Sequence, residues 1–331
     1  MSKPRIAITM GDAAGIGPEV ALKALDNLKT GENFESVLVG SMQVWRDTAQ
    51  KIAFSKKLIQ VERENLFSAE SNQIGVQHIS NLNLDDFSVG LPNFATGKAA
   101  GLAIETATSL ALEGHVGAIV TAPIQKDALN TAGYHFPGHT EMLQHLSAVD
   151  EVVMLMFSRK LSTALVSTHW AICDTPRLVT REKILRVTEL TWQFLKQLSY
   201  DPIRIAVAAY NPHAGEAGLF GQEEIQVIRP AVLEAQRRGM PVSGPFAPDT
   251  VFARALQGNY DVVIAMYHDQ GLIPFKLVAF DEGVNVTLGL PFWRTSPDHG
   301  TALDLAGKNM ADIKSMSEAI LLAVRLANTK R

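Results

Sequence analysis

Apolar residues in this chain gather into short continuous runs that alternate with longer segments of helical spacing. Runs of strand length occupy residues 6–10, 36–39 and 117–121, while helical spacing follows Pro18 and covers residues 98–113. Short apolar runs bounded by turns predict buried strands, and their alternation with helices indicates a mostly parallel sheet. The pattern therefore predicts an α/β fold.

The alternation changes between residues 152 and 168. Two β-rich runs are separated there only by Arg159, Lys160 and their neighbours, which predicts a hairpin. The next segment, residues 180–198, has Thr180 as a candidate N-cap and apolar residues at helical spacing, so we expect a helix packed on the sheet.

Three histidines stand just beyond strand-like runs: His169 after residues 161–168, His213 after residues 204–210, and His268 after residues 261–267. Ligands of an open α/β sheet bind outside the carboxyl ends of its strands, so the three imidazoles can converge. Three imidazoles with an open fourth position make a catalytic divalent-metal site. Any one of them alone is better explained as a polar residue that caps a loop, but the shared placement favours the metal.

Two further segments are suited to anions. His139 and Thr140 follow Gly138, where a helix starting at Thr140 would offer free amides to a phosphate. The alternative is an N-cap at Thr140 with a surface histidine. Later, the polar residues Lys276, Asn285 and Arg294 interrupt an apolar stretch. Cations so placed usually pair locally or extend to solvent, but their closeness in sequence to His268 favours an anion clamp.

Composition and charge argue against several classes of protein. The net charge is −4 and the sequence pI is about 6.1, with no clustered basic face, which argues against a nucleic-acid partner. The single cysteine, Cys173, fits a reducing compartment. The segment after Met1 lacks the apolar core of a signal peptide, and no run has the length of a membrane span. We expect a cytoplasmic protein with a small-molecule substrate and no membrane partner.

Five blocks then point to one family: residues 11–19 (GDAAGIGPE), 136–141 (FPGHTE), 211–216 (NPHAGE), 265–271 (AMYHDQG) and 294–302 (RTSPDHGTA). Together they resemble the 4-hydroxythreonine-4-phosphate dehydrogenase family of pyridoxal phosphate biosynthesis, in family order from the first strand to the last helix. More distantly, the first block and residues 299–308 are similar to isocitrate and isopropylmalate dehydrogenases. The resemblance implies two α/β/α domains with a cleft between them, and a homodimer. Residues 1–125 with 281–331 would form the outer domain, and residues 126–280 a central domain with the dimer interface and the metal ligands.

The resemblance also implies roles for individual residues. The divalent metal (Zn, Mg, Mn or Co) would be held by histidines drawn from both subunits: His169, His213 and His268. The substrate would contact five residues: His139, Thr140, Lys276, Asn285 and Arg294. NAD or NADP would lie against glycines of the first loop and a later segment: Gly11, Gly15, Gly17, His299 and Gly300. Physical chemistry, and not the resemblance, suggests the catalytic residues: Lys276 as proton carrier, because a lysine desolvated beside a metal can be neutral, with Asp249 and Asp269 orienting ligands or relaying protons.

The implied reaction is oxidation and decarboxylation of 4-phosphooxy-L-threonine to 3-amino-2-oxopropyl phosphate. Two departures from the family pattern bear on the substrate. Ala13 replaces the usual proline, and Trp170 and the next three residues replace a proline-leucine pair after His169. Paralogues that oxidise 4-phospho-D-threonate or the corresponding erythronate, giving dihydroxyacetone phosphate, therefore remain an alternative. From the three histidines and the cations alone, a metal-dependent hydrolase or aldolase is a further alternative.

Overall fold

The computed structural model describes residues 3–28, 33–70, 72–80 and 82–328. Contacts divide the chain into two compact units, one with the residues up to Glu151 and from Leu290 onward, the other spanning Val152–Gly289. We call them the outer and the central unit. Both divisions lie later in the chain than the expected boundaries at 125/126 and 280/281. Two short helices after residue 125 pack with the outer unit, and residues 284–288 form a strand that pairs within the central unit.

Twelve strands lie in the described residues: β1 Arg5–Thr9, β2 Glu35–Gly40, β3 Lys57–Val61, β4 Gln73–His78, β5 Ala118–Thr121, β6 Val153–Phe157, β7 Thr163–Leu165, β8 Ile205–Ala208, β9 Val242–Phe246, β10 Val262–Ala265, β11 Val284–Leu288 and β12 Trp293–Pro297.

Eleven α-helices lie in the same residues: α1 Gly17–Asn27, α2 Met42–Lys51, α3 Phe94–Leu112, α4 Lys126–Thr131, α5 His139–Leu146, α6 Thr175–Leu178, α7 Arg181–Gln197, α8 Arg229–Arg237, α9 Pro248–Leu256, α10 His268–Ala279 and α11 Lys314–Ala327. None of these described helices has the length and apolar character that crossing a membrane requires.

The outer unit is built on a parallel sheet with the strand order β3-β4-β2-β1-β5-β12. Strand β5 is buried along its whole length and β1 is buried except at Arg5. Helices α3 and α11 pack on β1 and β5, and α4 and α5 pack on α3. Continuous apolar strands are typical of parallel sheets covered on both faces.

The central unit has the strand order β11-β6-β7-β10-β8-β9. The pairs β11–β6 and β6–β7 are antiparallel, and the pairs from β7 through β10 and β8 to β9 are parallel. The predicted hairpin is confirmed, with Met156 opposite Thr163. Together the two units confirm the α/β class.

Two predicted helix starts had different outcomes. Thr180 caps α7 as expected, because its Oγ1 accepts a hydrogen bond from the Lys183 amide at 3.2 Å. The predicted start of α5 at Thr140 is wrong by one residue. The Met142 amide bonds to the Gly138 carbonyl, so the helix begins at His139 and Gly138 is the N-cap.

Candidate active site

The strands that precede the three histidines are neighbours in the central unit, in the order β7-β10-β8, and they run parallel. His169 and His213 follow β7 and β8 in the next loops, and His268 is the first residue of α10 after β10. The carboxyl ends of parallel strands lie at one edge of a sheet. Each predicted strand run is thus confirmed, and the histidine loops leave the same edge.

His169 and His268 come together, with ring centroids 5.7 Å apart and planes inclined by 44°. The Nδ1 atom of His268 lies 2.7 Å from a carboxylate oxygen of Asp269, which fixes the ring and leaves Nε2 for another contact. Both histidines line a pocket whose other walls come from the loop after β7, α6 and the start of α10: Thr168, Trp170, Ile172, Thr175, Tyr267 and Asp269.

His213 does not complete a metal site with this pair inside one chain. Among the described residues, no group of three or more histidine, cysteine or carboxylate side chains is placed to hold a metal. Two neighbouring imidazoles are a donor set that suits a divalent ion such as Zn²⁺, but a structural or catalytic site needs at least one more ligand. One chain therefore brings together two of the three predicted ligands, His169 and His268, and does not group His213 with them.

The turn that carries His213 is left-handed over five consecutive residues, with φ between 43° and 76° from His213 to Ala217. A non-glycine residue in this conformation costs roughly 1–2 kcal/mol. The buried carboxylate of Glu224 supports the turn, because its Oε1 accepts the amides of Tyr210 and Asn211, each at 2.8 Å. Gly215 lies directly over the same side chain, where a Cβ atom would be 2.5 Å from Oε2.

This strain predicts an unusual response to glycine. Ala217 is exposed with φ 54°, so Ala217→Gly should raise the free energy of unfolding by about 0.5–1 kcal/mol, as strain relief exceeds the added unfolded-state entropy. The matched control, Ala253→Gly, changes an exposed alanine of α9 and should lower that free energy by about 0.5–1 kcal/mol. Urea unfolding of the two variants measures both. Equal losses would show that the turn is not strained.

The outer unit contains a second cluster of predicted site residues. Arg294, on β12, is 2% exposed, and its Nε and Nη2 donate to Thr121 Oγ1 at 3.1 and 2.7 Å. Burial lowers the pKa of Arg294 to about 9, although the nearby Glu141 carboxylate raises it in part, so the guanidinium is charged at pH 7. Burial and secondly the Arg294 cation hold the pKa of His139 well below its ordinary value, so this imidazole is neutral.

The His139 side chain has a buried polar atom that a bound ligand would satisfy. Its Nε2 atom is buried and has no hydrogen-bond partner within the described part of the chain. An unpaired buried polar atom costs about 1–3 kcal/mol, and such atoms are rare unless a ligand or water satisfies them. Thr140 follows in the first turn of α5, whose amides favour anions. The structure thus places His139 near Arg294, with Thr140 next in the chain, and we call these three residues the anion cluster.

Three other predicted residues of the central unit lie on three different elements. The Oδ1 atom of Asn285, on β11, is another buried acceptor with no partner among the described residues. Lys276 lies on α10 after His268, with its Nζ 5.9 Å from the centre of the Phe280 ring. Asp249 is exposed in the first turn of α9 and does not line the histidine pocket.

The glycines of the first loop have an internal role. Added Cβ atoms at Gly11 and Gly17 would lie 2.3 and 2.5 Å from the carbonyl oxygens of Pro123 and Met10. At Gly15 the Cβ would lie 2.8 Å from the carbonyl oxygen of Thr301, which also accepts the amide of the next residue at 3.0 Å. Backbone packing alone therefore requires these three glycines.

The same packing brings the segment around His299 against the first loop. A Cβ at Gly300 would meet no atom within 4 Å, so the backbone there is open to a ligand. The Nε2 atom of His299 is buried and has no partner in the described residues. His299 and Gly300 are therefore better placed for direct cofactor contact than the three glycines.

Sequence reasoning missed three buried polar residues near these loops. Asp12 accepts the Ala14 amide at 2.9 Å and the Thr96 hydroxyl at 3.3 Å, and burial raises the pKa of its carboxyl. Glu224 and Gln270 are the others. Asp12 and Gln270 stand inside the quoted blocks, next to glycine or histidine, whereas nothing in the sequence distinguishes Glu224.

Comparison with known proteins assigns the chain to one family. Residues 32–323 match the family model of the pyridoxal phosphate biosynthetic protein PdxA. This chain belongs to the PdxA family. The expected family is confirmed, and the chain is an oxidoreductase enzyme of the dehydrogenase type.

Individual relatives span the whole chain. A 4-hydroxythreonine-4-phosphate dehydrogenase of Geobacter metallireducens is 46% identical, over 99% of this chain and 97% of its own length. A D-threonate 4-phosphate dehydrogenase of Pectobacterium atrosepticum is 43% identical, over 97% and 99%. A crystal structure of 4-hydroxythreonine-4-phosphate dehydrogenase from Klebsiella pneumoniae superposes with a TM-score of 0.87 at 42% identity, covering 98% of this chain and 100% of that one. This PdxA-family chain is thus similar to enzymes of two different substrates.

Proposed function

We propose that this PdxA-family enzyme oxidises 4-phosphooxy-L-threonine with NAD or NADP and decarboxylates the product to 3-amino-2-oxopropyl phosphate. The observation that carries this proposal is the anion cluster, where a buried guanidinium lies beside a neutral imidazole with an unsatisfied Nε2. A phosphate or carboxylate bound there would satisfy His139 Nε2 and add a charge-assisted hydrogen bond to the Arg294 guanidinium. Family membership favours this dehydrogenase chemistry over the hydrolase and aldolase alternatives.

The chemistry assigns each group a task. A hydride leaves C3 for the nicotinamide and the C3 hydroxyl loses its proton; then the C1–C2 bond breaks, carbon dioxide leaves and C2 takes up a proton. When bound, the divalent metal would supply Lewis-acid polarisation of the C3 oxygen. Arg294, His139 and Thr140 would hold the substrate's anionic groups, Asn285 would bind a hydroxyl or ammonium, and Lys276 would carry the proton to C2.

We also propose that the metal is shared in a homodimer, where the pair His169 and His268 of one chain meets the partner subunit's His213. An apolar stripe along α10 and the residue that follows it supports the dimer: Ile273, Leu277 and Phe280 are at helical spacing and are 66%, 84% and 69% exposed. Exposed apolar patches of this kind mark interfaces, and a two-fold axis lets each chain complete the other's site.

The free, exposed Cys173 suits the reducing cytoplasm.

The second candidate is oxidation of 4-phospho-D-threonate to dihydroxyacetone phosphate. The 43% identity to a D-threonate 4-phosphate dehydrogenase favours it. So do Trp170 and Ile172, which are 58% and 62% exposed in the pocket of His169 and His268, where the sequence departs from the expected proline-leucine pair.

Initial rates on the two phosphorylated acids decide between these functions. Both substrates carry a phosphate and a carboxylate. The ratio of their kcat/KM values therefore compares only the group on the carbon next to the carboxylate, which is an ammonium in one substrate and a hydroxyl in the other. We expect kcat/KM to favour 4-phosphooxy-L-threonine by at least about tenfold, some 1.4 kcal/mol of transition-state binding. A ratio of that size in the opposite direction assigns the protein to the threonate reaction, and no reduction of either nicotinamide cofactor with either acid contradicts both.

A further inference from the structure

A chain of buried hydrogen bonds crosses the ends of the three strands that lead to the histidines. Ser167 Oγ, after β7, donates to the Met266 carbonyl, after β10, at 2.8 Å. The Met266 amide donates to Gln270 Oε1 at 2.7 Å, and Gln270 Nε2 donates to the Ala209 carbonyl, after β8, at 2.7 Å. Ser167 and Gln270 are 5% and 8% exposed. The Gln270 side-chain amide therefore links the loops after β10 and β8, and the Ser167 hydroxyl links the loop after β7 to the loop after β10.

The tied atoms stand close in sequence to the histidines. Ser167 precedes His169 by two residues, Ala209 precedes His213 by four, and Gln270 follows His268 by two. We propose that Gln270 is a positioning residue, which holds the His268 and His213 loops in place and so fixes the histidine that this chain offers to its own metal site and the one that it offers to the partner's site. The inference rests on the proposed metal site of these histidines.

Both the oxygen and the nitrogen of the Gln270 side-chain amide form hydrogen bonds at this position. Gln270 accepts at Oε1 and donates at Nε2, and both partners are backbone groups that would otherwise be buried and unsatisfied. Glutamate has the same shape and keeps the acceptor, but its carboxylate cannot donate to the Ala209 carbonyl and would repel it. Gln270→Glu therefore cuts the tie between the β8 and β10 loops and leaves the bond to Met266.

The backbone packing next to Gln270 should limit the effect of Gln270→Glu to the loss of the bond to Ala209. The next residue, Gly271, lies so close to β7 that an added Cβ would be 2.8 Å from side-chain atoms of Leu165 and Thr163. The first turn of α10 is thus pressed against the sheet by packing that the substitution leaves intact. Loss of the Nε2 bond should release the His213 loop without detaching the helix that carries His268.

The central test is the affinity of the metal-free, full-length protein for Co²⁺, followed by the visible absorption of the bound ion. We expect Gln270→Glu to weaken Co²⁺ binding by at least about tenfold and to change the absorption spectrum, since residues that orient ligands typically contribute 10- to 100-fold to metal affinity. The matched control is Gln236→Glu, which removes an amide bond to the Val242 carbonyl in the same unit, away from the histidine loops. The control should bind Co²⁺ as the unchanged protein does.

A second pair of variants cuts the chain of bonds elsewhere, should Gln270→Glu fail to fold. Ser167→Ala removes the bond to the Met266 carbonyl, and Ser162→Ala removes a similar buried bond to the Ser158 carbonyl at 3.1 Å. We expect weaker Co²⁺ binding for the first only, at thermal unfolding midpoints that are lowered equally in both.

The possible results separate this inference from the proposed metal site. If the unchanged protein does not bind Co²⁺ at one ion per chain, the metal site is wrong and this inference falls with it. If the unchanged protein binds and both Gln270→Glu and Ser167→Ala bind equally well, the metal site stands and the positioning role is overturned. Affinity losses that match those of Gln236→Glu and Ser162→Ala would also overturn it, because they would report general destabilisation.

Discussion

Replacing His268 with alanine should abolish turnover, lowering kcat by about a thousandfold or more, because loss of a metal ligand removes roughly 4 kcal/mol of transition-state stabilisation. The fold should survive, since His268 is partly exposed at the start of α10 and its ring is not part of the core. Steady-state kinetics with excess Mn²⁺ or Zn²⁺ and the thermal unfolding midpoint measure the two effects separately.

The matched control is His115→Ala. That ring lies beside Glu113 on the outer unit and should be replaceable without loss of rate. Full activity of His268→Ala after removal of all metal would contradict the metal site directly.

The pairing of the histidines makes a stricter test possible in hybrid dimers. His169 and His268 lie together in one chain, so mixing His169→Ala with His268→Ala subunits leaves every site without one of the pair. Mixing His213→Ala with His268→Ala instead restores one intact site in each hybrid, so about a quarter of the normal activity should return. Recovery in both mixtures, or in neither, would show that the sites are not shared in this way.

The second large effect is expected at Arg294. Arg294→Met removes the buried charge but keeps much of the side-chain volume, and it should raise KM for the phosphorylated substrate about 10- to 150-fold, the equivalent of 1.5–3 kcal/mol for a charged hydrogen bond. Arg294→Ala should raise KM only slightly more than Arg294→Met does, because the contact depends on charge and not on packing. Arg294→Lys should recover only part of the affinity, since it restores the charge without the planar fork.

Stability should move in the opposite direction to binding in Arg294→Met. The guanidinium is 2% exposed and burial lowers its pKa, so its charged form is held at a cost in the free protein. Removing that charge should leave the thermal unfolding midpoint unchanged or higher while KM rises. A lowered midpoint with unchanged KM would instead identify Arg294 as a structural residue, paired mainly with Thr121 and Glu141.

Local sequence was sufficient for much of the fold. The strand runs, the hairpin, the helix capped by Thr180 and the family blocks depend on periodicity, turn residues and capping, which act between residues close in the chain. For the same reason the placement of the three histidines after strands was predictable, as was the grouping of His139 with Thr140.

Only the tertiary structure decided which of these residues meet. The order β7-β10-β8 depends on long-range strand pairing, and it placed His169 beside His268 but grouped neither with His213 inside one chain. Packing after residue 125 joined α4 and α5 to the outer unit and moved the domain boundary. The role of Gln270 depends on a backbone carbonyl far away in sequence. The role of Glu224 depends on a left-handed turn that the residues around His213 do not favour. Such contacts form between surfaces that exist only after folding, so no local pattern along the chain records them.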